Sequence, residues 1–220
     1  MHIKESLWVG AQLAEIPDAR LFPLLDIGSS TREFRTIIQP HLESSIYAPL
    51  RVRGGKVWHA DIKPADGVDL VGDLLDESYV QRLRELGVRS VMVTNILHHV
   101  VERQRLIDNV LSVVPAGGYV IVSGPNRYPK HYDPIDTLFR PNVEALAACF
   151  PGTDLVRGEI IDSGNWRQWN KAERGNRSLG RTVARLGLPF YKPAEWWRLA
   201  RQSPFLVRHM RAVAVVLRKR

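Results

Sequence analysis

Several side chains able to do chemistry stand at the ends of apolar runs. Leu24-Leu25-Asp26-Ile27 leads into Gly28-Ser29-Ser30-Thr31-Arg32. Asp61 closes the run 56–61, Asp73 and Leu74 follow 68–71, and Asn95 follows 90–94. His98 and His99 come next, and a dense stretch after the run 119–123 holds Tyr128, His131, Asp133 and Asp136. A small residue at 28 lets backbone approach a ligand closely. Ser29, Ser30 and Thr31, followed by a helix beginning near Arg32, can offer hydroxyls, N–H groups and a helix dipole to an anion. The dinucleotide fingerprint G-x-G-x-x-G is not met, because Ser30 and Glu33 stand where its later glycines belong. By itself the turn reads equally as a plain strand-to-helix connection. A carboxylate at Asp61 can accept hydrogen bonds from both hydroxyls of a ribose; it can also cap a turn. Asp73 can accept from an adenine amino group beside an apolar wall at Leu74, or act as a turn residue.

The elements that must position these groups alternate. The runs 24–27, 56–61, 68–71, 90–94 and 119–123 read as strands. Residues 76–86 carry Val80, Leu83 and Leu86 at helical spacing, with Asp76 as N-cap and Gly87 at the C-terminal stop. Residues 101–114 place Leu106, Val110 and Val113 on one side, and Pro115-Ala116-Gly117-Gly118 ends that helix. Residues 142–150 read as a further helix, and 154–161 and 211–218 as strands. Strand and helix in this order predict an α/β fold, a doubly wound and mostly parallel sheet with helices on both faces. Ligands of such sheets bind outside the carboxyl ends of the strands, where the residues named above fall.

The ordered series LLDIGSSTREFR, VWHADI, GDLLD, VTNILHHV and VPAGGYVIVSGPN resembles the motifs of the class I, Rossmann-like, S-adenosylmethionine-dependent methyltransferases, the type 11 group among them. The resemblance spans about residues 22–162. It implies seven strands with an antiparallel last one, and S-adenosylmethionine as cofactor. It also implies the methionine part near Asp26, Gly28 and Ser30, the ribose at Asp61, the adenine at Asp73 and Leu74, and backbone contacts at Asn95. The chain departs from the family at Arg32, where a small residue is usual. That side chain must point outward, unless it pairs with the cofactor carboxylate.

Methyl transfer to a hydroxyl needs an aligned acceptor and a base. His131, oriented by Asp133 or Asp136, is the favoured base; His99 is the other candidate, or it packs beneath the cofactor. A metal held by His98, His99, Asp133 and Asp136 is a further alternative, yet no pair of them shows a recognised helical metal spacing, and no metal is expected. The resemblance suggests a small-molecule, sugar or glycolipid acceptor, and the segment TNILHH lacks a nucleic-acid methyltransferase signature. A nucleic-acid acceptor and a non-catalytic cofactor-binding or membrane-docking module are the alternatives.

Composition bounds these readings. The chain has 220 residues, 45% hydrophobic and 25% charged, as one domain of ordinary make-up would. Residues 1–156 carry net −3 and residues 157–220 net +11, so the basic character belongs to the last third. Within it, residues 164–205 read as a helical insert before the final strand, interleaving Trp166, Trp169, Phe190, Tyr191, Trp196 and Trp197 with arginines. This insert suits a lid over the substrate, a surface for an anionic membrane, a single-stranded nucleic-acid platform, or core aromatics beneath solvated arginines. Cys149 is the only cysteine, so no internal disulfide forms, and it reads as a small core residue. The first 20 residues show no signal-peptide pattern, and no run approaches the ~18 apolar residues of a membrane span. A cytoplasmic location, peripheral to the membrane if the basic insert docks there, is the expectation.

Overall fold

The computed structural model describes residues 1–131, 135–165, 168 and 193–220. Its centre is a seven-stranded sheet: β1 (Leu24–Ile27), β2 (Val57–Asp61), β3 (Leu70–Val71), β4 (Ser90–Thr94), β5 (Tyr119–Arg127), β6 (Thr153–Gly164) and β7 (Met210–Lys219). The spatial order is β3-β2-β1-β4-β5-β7-β6. The first five strands are parallel, and β7 runs antiparallel to both β5 and β6. This is the doubly wound, mostly parallel sheet anticipated from the alternation of elements.

The strand sequences explain their places. All four residues of β1 are buried, as are the first four of β4; near-continuous apolar runs of this kind occupy parallel strands covered on both faces. The strand period of two divides them between two cores. Leu25, Ile27, Val91, Val93, Val120 and Val122 face a cluster with Tyr79, Val80 and Leu83 of α2 (Glu77–Glu85) and Leu106, Ile107 and Val110 of α3 (Arg103–Val113). Leu24, Met92 and Ile121 face the opposite cluster, with Val9 and Leu13 of α1 (Ile3–Glu15). Asp76 caps α2 by accepting from the Ser78 N–H at 2.9 Å. Asn142 caps α4 (Val143–Ala148) by accepting from the Ala145 N–H at 2.8 Å.

Two regions add to what periodicity indicated. α1 has no counterpart in the sequence reading. Residues 34–52 form a broken run of helical turns, with π-helical geometry at Phe34–Ile38 and Glu43–Tyr47. Their irregular backbone hides a 3.6-residue repeat, yet Leu42, Ile46 and Leu50 still reach the core at four-residue intervals. Of the insert, α5 (Pro193–Gln202) is seen, with Trp196 and Trp197 edge to face at 5.2 Å and Trp197 exposed. Trp166, Trp169, Phe190 and Tyr191 lie outside the described residues.

α1 presses on the π-helical turn through Gly10. A Cβ there would stand 2.0 Å from the Ser45 carbonyl oxygen, which is backbone and cannot swing aside. Gly10→Ala should therefore destabilise the fold by about 1–3 kcal/mol despite alanine's better helix propensity. Urea unfolding checks this; unchanged stability would show that α1 is free to shift.

Candidate functional site

The chain reverses its strand order between β1 and β4, and ligands of open α/β sheets bind at that switch point. Two clefts, each of about 280 Å³, open there at the carboxyl ends of the strands. The first is lined by Gly28, Asp61, Asp73, Leu74, Tyr79 and Ile96, among others. The second is lined by His2, Glu5, Asn95, His98, Tyr128, His131 and Arg211, among others. His99 lines both. Between them, Ile96 packs on Gly28: a Cβ on this glycine, at φ +71°, would meet the Ile96 Cδ1 at 2.0 Å.

The turn after β1 is held from several sides. Ser30 adopts a left-handed φ of 57° and donates its N–H to Asp61 Oδ2 at 2.9 Å. Asp61 Oδ1 accepts from the Lys63 N–H at 3.1 Å. Arg35, only 5% exposed, donates to the carbonyls of Ser29, Ser30 and Gly67 at 2.9, 2.7 and 2.7 Å. No local pattern signals this role, since an arginine in a polar stretch reads as surface. Arg32 points outward and pairs with Asp66 at 3.3 Å; the outward reading holds, and pairing with a ligand carboxylate does not fit this geometry.

Asp26 departs from its expected place. It lines neither cleft and is 1% exposed. Register sets it beside His59, and strand alternation turns it toward the helical run. There its Oδ2 accepts from the Tyr47 hydroxyl at 2.7 Å and lies 3.0 Å from His59 Nδ1. Burial and the neighbouring carboxylate push the Tyr47 hydroxyl well above its ordinary pKa, so it remains a donor. Ser30 also lies outside both cleft linings and acts through its backbone.

Asn95, left-handed at φ 58°, follows β4. Its backbone N–H donates to the Ser123 carbonyl at 2.8 Å, so that group is already engaged. Its side chain donates to Glu5 Oε1 at 2.8 Å, as does the Ser123 hydroxyl at 2.6 Å. Glu5 is a buried carboxylate that the sequence reading missed. Its four-residue spacing from Val9 and Leu13 puts it on the face of α1 that the structure buries.

The histidines converge. A short 3₁₀ turn, Leu97–His99, sends His98 into the interior at 1% exposure and leaves His99 at the cleft boundary. His98 Nε2 lies 3.2 Å from His131 Nδ1, and the His98 and His99 rings are 3.9 Å apart. Burial, then the neighbouring His99, His131 and Arg140, lower the His98 pKa to about 3. Burial, then the chain's amino terminus, lower His2 to about 4. Both are neutral imidazoles at neutral pH.

Asp136 does not orient the His131 ring. Its Oδ2 accepts from the His131 backbone N–H at 2.7 Å, and Arg140 donates to the same carboxylate at 2.7 Å. Burial pulls the Asp136 pKa up, but the bonds from Arg140, His131 and Leu138 outweigh it and hold it well below the ordinary range. It lines neither cleft. Asp133, the other proposed partner of His131, lies outside the described residues.

No family model matches the chain, and no curated protein matches it. Solved structures do. One, described as a sarcosine dimethylglycine methyltransferase from Galdieria sulphuraria, has a TM-score of 0.58 and 12% identity over 98% of this chain and 84% of its own. Coclaurine N-methyltransferase has a TM-score of 0.54 and 13% identity over 98% and 70%. The MccD protein has a TM-score of 0.51 and 14% identity over 98% and 96%.

The Asp136–Arg140 pair yields a test. The side chains are 0% and 13% exposed, so Asp136→Asn leaves a buried guanidinium without its counter-charge. It should cost ~3 kcal/mol at pH 7. The carboxylate's folded pKa lies below its unfolded value near 3.8, so its stabilisation is complete above that value and fades as pH falls through the folded one. The gap between wild type and variant should therefore shrink below about pH 4, read by urea unfolding from pH 7 to pH 2; a constant gap would mean the carboxylate's charge is not what stabilises. With its seven-stranded sheet of five parallel strands and an antiparallel β7, the chain has the fold of the class I, Rossmann-like methyltransferases.

Proposed function

We propose that the chain binds S-adenosylmethionine and transfers its methyl group to a hydroxyl of a sugar, glycolipid or other small molecule. The observation that carries this reading is the first cleft. A carboxylate at the end of β2, an acidic and an apolar residue after β3, and the turn after β1 line one cavity at the switch point of this fold. The residues present fit a nucleoside. The Asp61 oxygens each accept one backbone bond and keep further acceptor capacity for ribose hydroxyls. Asp73 Oδ1 accepts from the Leu75 N–H, which leaves Oδ2 for an adenine amino group, and Leu74 and Tyr79 supply apolar walls.

When bound, the cofactor supplies an electrophilic methyl on a sulfonium. The chain's task is then to hold the acceptor in line and to take its proton. The second cleft suits this. His131 and His99 line it, Tyr128 offers an aromatic side for a ring, and Arg211 offers a cation. Imidazoles favour a hydroxyl acceptor, since a neutral amine attacks without prior loss of a proton. The net +11 of the last third supports an acceptor that carries negative charge.

Calorimetric titration should show one-site binding of S-adenosylmethionine and none of NADH. Asp61→Ala removes charged acceptors and the partner of the Ser30 N–H. It should weaken cofactor binding about 10- to 100-fold, as loss of charged hydrogen bonds costs ~1.5–3 kcal/mol. Equal affinity in wild type and variant would remove the ribose role, and absence of binding in the wild type would sink the methyltransferase reading.

A further inference from the structure

His98, His99 and His131 come from two segments, and sequence spacing gives no hint that they meet. In the fold, one ring nitrogen of each lies within 4.8 Å of the others. The pair His98 Nε2 and His131 Nδ1 stands 3.2 Å apart. Two nitrogens bound at ~2.0–2.1 Å to a tetrahedral ion are separated by about 3.3 Å. The ring centroids of His98–His131 and His99–His131 are 4.9 and 5.6 Å apart.

The two segments are laced together. The His98 carbonyl accepts from the Thr137 N–H at 2.9 Å and from its hydroxyl at 3.1 Å. Arg103 bridges the Leu97 carbonyl and the Thr137 hydroxyl at 3.0 and 2.8 Å. The His131 backbone is held by Asp136. The His99 Nδ1–H donates to the Ile135 carbonyl at 2.6 Å, which leaves Nε2 with the lone pair. A carbonyl on the far nitrogen is how proteins fix the tautomer of a metal-binding histidine. His98, 1% exposed, also keeps an Nδ1 with no hydrogen-bond partner among the described residues. That nitrogen faces away from His131 and is not a ligand of a shared ion; the pair His98 Nε2 and His131 Nδ1 is what an ion would bridge.

From this geometry we infer that His98, His99 and His131 form a three-histidine site for a divalent transition metal, of which zinc is the best match, with its fourth position open to the second cleft. An all-imidazole donor set without thiolate selects borderline ions such as zinc or cobalt over magnesium or calcium. Three protein ligands and one open position are the arrangement of a catalytic site, not a structural one. All three histidines line the second cleft, so the open position takes the hydroxyl oxygen of the acceptor. That role rests on the methyl-transfer reading; the existence of the site does not. The ion, in place of an imidazole base, lowers the pKa of the acceptor hydroxyl, whose proton passes to solvent. The oxygen electron pair then bonds the methyl carbon, the carbon–sulfur bond breaks, and its pair stays on sulfur.

The test uses the full-length protein, stripped by chelator and titrated with Co²⁺ in the absence of cofactor. One equivalent should bind with the intense visible bands of four-coordinate cobalt, and Zn²⁺ should displace it. His98→Ala and His131→Ala should each weaken binding by at least ~100-fold, beyond what loss of an outer partner costs. His209→Ala, whose imidazole pairs with Asp162 elsewhere, should bind as wild type does. Circular dichroism of each variant separates lost ligation from lost folding, and His98→Gln serves where alanine does not fold. Weak six-coordinate spectra, substoichiometric binding, or equal affinity in folded His98 and His131 variants would overturn the site. The readout needs no S-adenosylmethionine, so failure of the methyl-transfer reading leaves it intact and distinguishable.

Discussion

The turn after β1 depends on a buried guanidinium. Three backbone carbonyls from two loops point at Arg35, and a cation at 5% exposure persists only with such acceptors around it. The same contacts that stabilise the charge fix the path of residues 28–30. Ser30 is thereby held in a left-handed conformation that a residue with a Cβ adopts at a cost of ~1–3 kcal/mol. In that conformation its N–H reaches Asp61, which ties the ends of β1 and β2 together. The turn beside the first cleft is thus set by electrostatics across two loops as well as by Gly28.

This arrangement explains how a chain that breaks the small-residue pattern after β1 keeps an open cleft. In a glycine-rich turn the backbone takes its shape because nothing hinders it. Here Gly28 alone has that freedom at its φ of +71°, and Ser30 and Arg32 follow it. Ser30 is forced into line by Asp61 and Arg35. Arg32 leans away to Asp66 at the surface, with its side chain 66% exposed. The departure at residue 32 therefore costs the cleft nothing, because the side chain never enters it.

The sheet and its order of elements were legible because buried parallel strands announce themselves as short apolar runs. LLDI, SVMVT and YVIVS need no context to be read. The cap Asp76 was an equally local signal, confined to the residues it serves. The less legible parts share a different physics. α1 alternates polar and apolar residues in a way that only its packing on Leu42 and Ile46 resolves. The run 34–52 contains two π-helical stretches, whose wider turns scramble helical periodicity. Asp26 looks like a ligand-facing acid from the motif, yet its direction is decided by pairing with His59 and by Tyr47, which lies 21 residues later. No local pattern carries that information.

The adjacent histidines make the point most sharply. His98 and His99 are chemically identical, and a 3₁₀ turn gives them opposite environments. Three residues per turn place successive side chains about 120° apart. One imidazole is driven inside, where burial keeps it neutral, while its neighbour spans the boundary between the clefts. The buried ring then needs partners that its own segment cannot supply. His131 arrives from a loop that is fixed by Asp136 and by the contacts of Thr137 to the His98 carbonyl. The carboxylate thought to polarise His131 instead places its backbone, and so determines where the ring can stand. The shape of the second cleft is therefore set by how the loop after β5 docks on the turn after β4, and Asp136 and Arg103 act on it through that docking without lining either cleft.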